Sequence, residues 1–369
     1  MAAAVSGTRC DVVVIGAGAM GSATAWWLAR RGVDTVLLEQ FAQGHVRGSS
    51  HGATRIFRLA YDDRRYVRMA VEALPIWREL EADAGLTLLE TTSGIDHGDP
   101  VAVAAVAAAL DAEAVEHEVI RAAAAAERWP DMRFEGDVLV QPDAGRCLAD
   151  ATVCALQNRA AAHGANVRFE TGAAAVSVPD TGGAGGGRVG DVRVTAGDSK
   201  WAARIVVVTA GSWVSSVVGR HIGLPSMRVT REQVQHFAPE PRSSPAEWPS
   251  FIHHRDRVVY GLLSPTEGVK VAFHHEGPVV DPDTRTFDLD TAVAADAAAY
   301  AETWLPGVDP SPVHGVTCLY TSTPTHDFVL ARHGPIVIGS PCSGHGFKFT
   351  PLVGRLLADL ATNPAIPTQ

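Results

Sequence analysis

The sequence predicts a two-domain α/β fold, and three observations carry that reading. A strand-like apolar run enters a glycine turn at Asp11-Val-Val-Val-Ile-Gly-Ala-Gly-Ala-Met-Gly21. Short β-rich runs separated by prolines fill Arg228 to Phe287. A last apolar run, Pro335 to Gly339, leads into a second glycine turn at Ser343-Gly-His-Gly-Phe-Lys-Phe349. The 369 residues suffice for two domains with sizeable cores.

Taken in order, Val12 to Ile15 supplies the first strand and Gly16 to Gly21 the turn. Met20 to Arg31 forms a helix with Ala, Leu and Trp on its inner faces. Gly32 stops it, and Val36 to Glu39 is the next strand. This is half of a Rossmann-like mononucleotide-binding unit. Gly44 to Tyr61 is polar and arginine-rich, which suits a loop and a helix start at a ligand. Arg64 to Asp83 has a helical period. Alanine-rich Val101 to Arg128 reads as helix because alanine has the best helix propensity. Leu86 to Ile95, between them, can supply strand. Gly182 to Gly190 reads as a glycine-rich hairpin or mobile loop, with strands at Val192–Thr195 and Arg204–Thr209 and a turn at Ala210–Trp213. The runs of 228–287 read as an antiparallel sheet. A helix through Leu360 closes the chain's regular structure.

Composition removes several function classes. The net charge of -10 opposes a nucleic-acid partner. Val12 to Ile15 is far below a membrane span, and the first ten residues lack the basic start and length of a signal peptide. Five scattered cysteines (Cys10, Cys147, Cys154, Cys318, Cys342) argue against a disulfide framework or zinc site, which points to a reducing cytoplasm. They leave open whether one thiol has a chemical role. The histidines show no metal-ligand spacing, so no metal is expected.

Gly16, Gly18 and Gly21 fit G-x-G-x-x-G. The first allows the tight turn, the second admits the pyrophosphate, and the third packs helix on strand. The helix start offers N–H groups and a positive dipole end to phosphate. Glu39, 18 residues after Gly21, ends the second strand, where a carboxylate can accept ribose hydroxyls. Dinucleotide binding follows. NAD and FAD remain equally open on this motif.

Four further segments bear on that choice. Gly48-Ser-Ser-His-Gly-Ala-Thr-Arg-Ile-Phe-Arg58 with Ala60-Tyr61, Gly268-Val-Lys-Val-Ala-Phe-His274, Cys318-Leu-Tyr320 and Ser343-Gly-His-Gly-Phe-Lys348 stand in this order. They resemble motifs of the monomeric sarcosine oxidase and N-methyltryptophan oxidase family, FAD-dependent amine oxidases of the D-amino-acid-oxidase superfamily. The resemblance spans nearly the whole chain. Two departures stand out. Ser50-His51-Gly52-Ala53 occupies the place of His-His-Gly-Asp in relatives, and the chain ends soon after Leu360 where relatives run longer.

The resemblance implies a Rossmann-like FAD-binding domain (1–83, 145–220 and 316–369) and a substrate domain on a mixed or antiparallel sheet (84–144 and 221–315). It implies FAD contacts from Gly16, Gly18, Ala19, Met20, Gly21, Glu39, Ser49, Ser50, Thr54, Arg55, Val176, Gly211, Trp213, Gly344, His345, Gly346, Phe347 and Lys348, with the flavin carried covalently on Cys318. It implies that Arg58 and Lys348 clamp a substrate carboxylate and that Arg55 lies by the isoalloxazine. It implies that Lys270 lies by flavin N5 and assists oxygen reduction, and that His274, Tyr260 and Tyr320 contact substrate. A guanidinium grips a carboxylate in two places, an ammonium adds a point charge, and a fixed cation favours superoxide-like charge.

The implied reaction oxidises the C–N bond of a secondary amine bearing a carboxylate, such as sarcosine, with O₂ reduced to hydrogen peroxide. The implied partners are the small amine and O₂, and the protein is a monomer or weak homo-oligomer. A flavin dehydrogenase of the same fold that passes electrons to a protein or quinone stays open, and so do two other readings. One is an oxidase or dehydrogenase of a biosynthetic amino or imino acid. The other is a non-catalytic dinucleotide-binding module, against which the joint presence of Arg58, Lys270, Cys318 and Lys348 argues.

Overall fold

The strand Thr8–Ile15 is buried through Val12–Ile15 because parallel neighbours flank it on both sides, Thr35–Leu38 on one and Ser199–Val208 on the other. This computed structural model describes residues 8–178, 191–219, 221–241 and 248–363, so the loop expected at Gly182–Gly190 lies outside the described residues. The chain divides into two units, residues 1–51, 152–229 and 321–369 in the first and 52–151 and 230–320 in the second.

The first unit is built on an eight-stranded sheet. Ala174–Ser177, Val192–Ala196, Ser199–Val208, Thr8–Ile15, Thr35–Leu38 and Asn166–Arg168 follow one another across it. Ile336–Ser340 pairs parallel to Ser199–Val208, and Val329–His333 pairs antiparallel to Ile336–Ser340. Val13, Ile15, Val36, Leu38, Val206, Val208 and Ile338 form one apolar core in it. The helix Ala19–Arg30 packs against the helix Thr350–Thr362. They approach closely because residue 354 is glycine: a Cβ there would lie 2.5 Å from that of Ala23.

The second unit carries another eight-stranded sheet, in the order Val308–Ser322, Arg228–Pro239, Gly268–Phe273, Val259–Ser264, Ser250–His254, Gly94–Gly98, Val138–Gln141 and Glu118–Ile120. Ser250–His254 runs parallel to Gly94–Gly98, which makes this sheet mixed. Phe237, Phe251, Val269, Val271 and Phe273 pack with Tyr300, Ala301 and Leu305 at the helix Thr291–Trp304. A small third sheet, Thr54–Phe57, Gly145–Leu148 and Leu89–Thr91, completes the unit.

The structure departs from the sequence expectations in three places. The alanine-rich stretch 101–128 is two helices, Pro100–Ala112 and Ala122–Arg128, separated by the strand Glu118–Ile120. Ala114 turns left-handed at φ 54°, and Val119 and Ile120 pair with Leu139 and Val138. Sheet pairing there outweighs alanine's preference. The segment 44–61 contains no helix start but the strand Thr54–Phe57, because Arg55 and Ile56 pair with Cys147 and Arg146. That pairing also places residues 52–83 in the second unit, whereas the sequence reading groups them with the N-terminal strand and turn. The helix Arg64–Ala84 follows, opened by the Asp63 carboxylate accepting from the Arg65 N–H and closed by Gly85 at φ 67°.

Candidate functional site

The first unit presents the glycine turn much as the motif requires. Gly16 takes φ +96°, and a Cβ there would sit 2.6 Å from the Thr209 carbonyl oxygen. A Cβ on Gly21 would sit 1.8 Å from the Gly16 carbonyl oxygen, so only glycine permits this turn. Gly18 caps the helix Ala19–Arg30 and offers no side chain to its first N–H groups. A phosphate can take that place. The Ala19 N–H donates to Ser50 Oγ at 3.1 Å, which ties the Ser49-Ser50 segment to the turn.

Glu39 is buried beneath this turn. One carboxylate oxygen accepts from the Ala17 N–H at 2.9 Å and the other from the Phe41 N–H at 3.1 Å, with His45 Nε2 at 3.4 Å. Trp213 meets Phe41 edge-on at 5.6 Å, in the short 3₁₀ turn Gly211–Trp213 where Gly211 takes φ +53°. Val176 is buried in its strand, with its carbonyl against His221 Nε2 at 2.9 Å. These contacts bring together Gly16 to Gly21, Glu39 and Ser50, as a dinucleotide site needs.

The second glycine turn belongs to the same unit. Gly344 takes φ 75°, and a Cβ on Gly346 would collide with the Pro341 carbonyl at 1.6 Å. His345 stacks on Phe328 at 4.7 Å, and its Nε2 lies 3.2 Å from the His326 carbonyl. Phe347 opens the 3₁₀ turn Phe347–Phe349. Lys348 is buried, and its ammonium donates to the His345 carbonyl at 2.8 Å. The turn therefore holds a cation against its own backbone.

The second unit holds the other candidates. Lys270 is 5 % exposed, and its Nζ donates to the Thr54 carbonyl at 2.9 Å and reaches Thr54 Oγ1 at 3.4 Å. Arg55 donates to the same carbonyl at 2.8 Å. Burial, and then the Arg55 charge, push Lys270 down to about 7. Cys318 lies near enough for a negative charge on its sulfur to oppose that shift, and to raise Tyr260 and Tyr320 as well. The two phenol oxygens stand 3.4 Å apart, and Tyr320 Oη is 3.4 Å from His274 Nδ1. Burial raises both phenols, so they remain protonated at neutral pH. Lys270, Arg55, Thr54, Cys318, Tyr260, Tyr320 and His274 thus form one electrostatic neighbourhood.

Arg58 has an internal partner that sequence reasoning missed. Its guanidinium donates to the Ala60 carbonyl, lies over the Tyr61 ring at 4.5 Å, and stands 3.4 Å from a carboxylate oxygen of the buried Asp96. His254 Nε2 meets the same oxygen at 2.9 Å. A second buried acid, Glu232, accepts from Thr230 Oγ1 at 2.6 Å and from the Gly277 N–H at 3.1 Å. Burial raises it, and its charge reaches Tyr260 and Tyr320. An aspartate inside the strand Gly94–Gly98 was the available signal for the first. For Glu232 the signal was a charged residue within the long strand Arg228–Pro239.

The expectation of no metal rested on local spacing. The fold brings His236, Glu267 and His314 together from three neighbouring parts of the sheet, with ligand atoms within 4.8 Å of one another.

Lys270 makes stability depend on pH in a stated direction. An unfolded lysine titrates near 10.5 and this one near 7, so between those values the unfolded chain binds the extra proton. The penalty for burying the charge is full below that window and vanishes above it. Lys270→Met removes it. Urea unfolding should therefore show the variant's stability relative to wild type falling as pH rises from 7 towards 10. Parallel pH profiles would mean that Lys270 is not held in this perturbed state.

Comparison with known proteins places the chain. The DAO family, described as FAD dependent oxidoreductase, matches residues 11–360. The chain is 31 % identical to the monomeric sarcosine oxidase of Bacillus sp. (strain NS-129), covering 96 % of this chain and 93 % of that one. It is 33 % identical to the peroxisomal sarcosine oxidase of Homo sapiens, covering 95 % and 92 %. Among solved structures it is similar to NikD, "an unusual amino acid oxidase essential for nikkomycin biosynthesis", with TM-score 0.84 and 28 % identity over 98 % of this chain and 96 % of that one. The chain belongs to the DAO family of FAD-dependent oxidoreductases.

Proposed function

We propose that this protein oxidises a secondary amine bearing a carboxylate, sarcosine or another N-substituted amino acid, to the imine and reduces O₂ to hydrogen peroxide. The observation that carries this reading is the buried Lys270 ammonium beside Arg55, Cys318 and the Tyr260–Tyr320–His274 cluster, in a chain similar over its length to sarcosine oxidases.

The open helix cap and the glycine turn fit a dinucleotide. Gly16, Gly18, Ala19, Met20 and Gly21 would hold its pyrophosphate and Glu39 its ribose. Ser49, Ser50, Thr54, Arg55, Val176, Gly211, Trp213 and Gly344 to Lys348 would hold the remainder, and Cys318 Sγ would carry it covalently at the flavin 8-methyl carbon. When bound, FAD supplies the two-electron acceptance that no side chain offers.

The side chains have separate tasks. Arg58 and Lys348 bind the substrate carboxylate by charge-assisted hydrogen bonds. Asp96 holds Arg58 in place and competes with that carboxylate, so substrate must offer better geometry than the 3.4 Å internal contact. Tyr320 Oη and His274 Nδ1 orient the amine, with the phenols kept neutral by burial. Lys270, in its protonated form, places positive charge where O₂ gains electrons, and Arg55 favours an anionic electron acceptor.

A second reading is an oxidase or dehydrogenase of a biosynthetic amino or imino acid intermediate, a cyclic imino acid among the candidates. The likeness to NikD at TM-score 0.84 and the Ser50 and Ala53 departures favour it. We place the protein in the cytoplasm as a monomer or weak homo-oligomer. Five cysteines that form no disulfide among the described residues support a reducing compartment.

Purified protein should release peroxide stoichiometrically with substrate from a panel of sarcosine, larger N-methyl amino acids and cyclic secondary amino acids. The methyl ester of the best substrate should bind far worse, because removing the charge from one side of a charge-assisted pair costs about 2–5 kcal/mol. Turnover only with an artificial acceptor would replace the oxidase reading by a dehydrogenase, and turnover only of cyclic substrates would favour the second reading. Acid-denatured wild type should carry the mass of FAD on the chain and Cys318→Ser should not; a colourless pellet under a yellow supernatant would remove the covalent link.

A further inference from the structure

We propose that His236, Glu267 and His314 form a site for a divalent transition cation such as Zn²⁺, distinct in its ligands from the residues assigned to amine oxidation but neighbouring Lys270. His236 lies in Arg228–Pro239, Glu267 in the turn before Gly268–Phe273, and His314 in Val308–Ser322. These are consecutive neighbours in the second unit's sheet, so the three side chains are gathered by strand pairing and not by local sequence. Their ligand atoms lie within 4.8 Å of one another.

The geometry of His236 is the second observation. Its side chain is 1 % exposed, and neither ring nitrogen has a hydrogen-bond partner among the described residues. A buried imidazole left so is costly and calls for an explanation. Its Nε2 stands 3.4 Å from Glu267 Oε2. That is beyond an ordinary N–H···O bond, which ends near about 3.2 Å. It matches the separation of two ligands on a tetrahedral zinc, roughly 3.4 Å for bonds of about 2.0–2.1 Å. Glu267 Oε2 also accepts from Ser264 Oγ at 2.8 Å, which aims the carboxylate as an outer-shell partner does.

His314 supplies the entry path and the adjustable ligand. Its ring stacks on His236 at 4.2 Å with 7° between planes. Stacked rings cannot both point lone pairs at one ion, so His314 must rotate on binding. It is exposed and has the freedom to do so. Two imidazoles and one carboxylate suit zinc, nickel, cobalt or copper better than calcium or magnesium. Lys270 stands opposite His236 in the strand register and disfavours a cation there; the Glu267 carboxylate, which also acts on Lys270, offsets it.

The test is calorimetric titration of chelator-treated holoprotein with ZnCl₂, with the thermal midpoint followed in parallel. Wild type should bind one equivalent and gain in midpoint. Glu267→Gln and His314→Ala should each weaken binding by at least about tenfold. His314 is exposed, so its removal spares the core. Absence of binding at millimolar zinc, or equal binding by wild type and both variants, would overturn the site.

Discussion

A lysine ammonium buried against a peptide carbonyl constrains the architecture of the second unit. Lys270 belongs to a strand whose neighbours are Val269, Val271 and Ala272, all buried apolar residues. An unpaired charge there would cost several kcal/mol. Thr54 prevents that by offering its carbonyl and hydroxyl, and Arg55 closes on the same carbonyl. The strand Thr54–Phe57 therefore has to run where it does, held on its other side by Gly145–Leu148. Burial first, and then the charge of Arg55 on the same acceptor, keep Lys270 poised between its charged and neutral forms near neutral pH.

The same economy governs the first unit. Glu39 is tied by its two oxygens to the backbone at Ala17 and Phe41, so the acidic group and the glycine turn move as one piece. Gly16 and Gly21 bring backbone within a distance that any side chain would forbid. The result is a preformed cradle at a helix end whose N-cap residue, Gly18, brings no side chain of its own. Preorganisation of this kind spares the ordering cost of binding.

How much of this was legible in the sequence follows from how local each signal is. The glycine turn, the flanking strands, the helix Arg64–Ala84 and the turn at 343–349 were readable because their causes lie within a few residues. The break in the alanine-rich stretch was not, since it depends on Val119 and Ile120 pairing with a distant strand. Thr54–Phe57 was hidden for the same reason. Arg58 was readable as a cation, whereas its partner Asp96 is 38 residues away and met only through the fold. The convergence of His236, Glu267 and His314 across three strands leaves no spacing to read.

The central claim is that Lys270 serves oxygen reduction and not amine binding. Stopped-flow absorbance on wild type and Lys270→Met can separate anaerobic reduction by substrate from reoxidation by O₂. Loss of a preorganised charge costs roughly 3–4 kcal/mol, about a hundred- to a thousandfold in rate. Reoxidation should slow by that factor while reduction changes little. Equal slowing of both half-reactions would contradict the account and leave Lys270 a structural or substrate-binding residue.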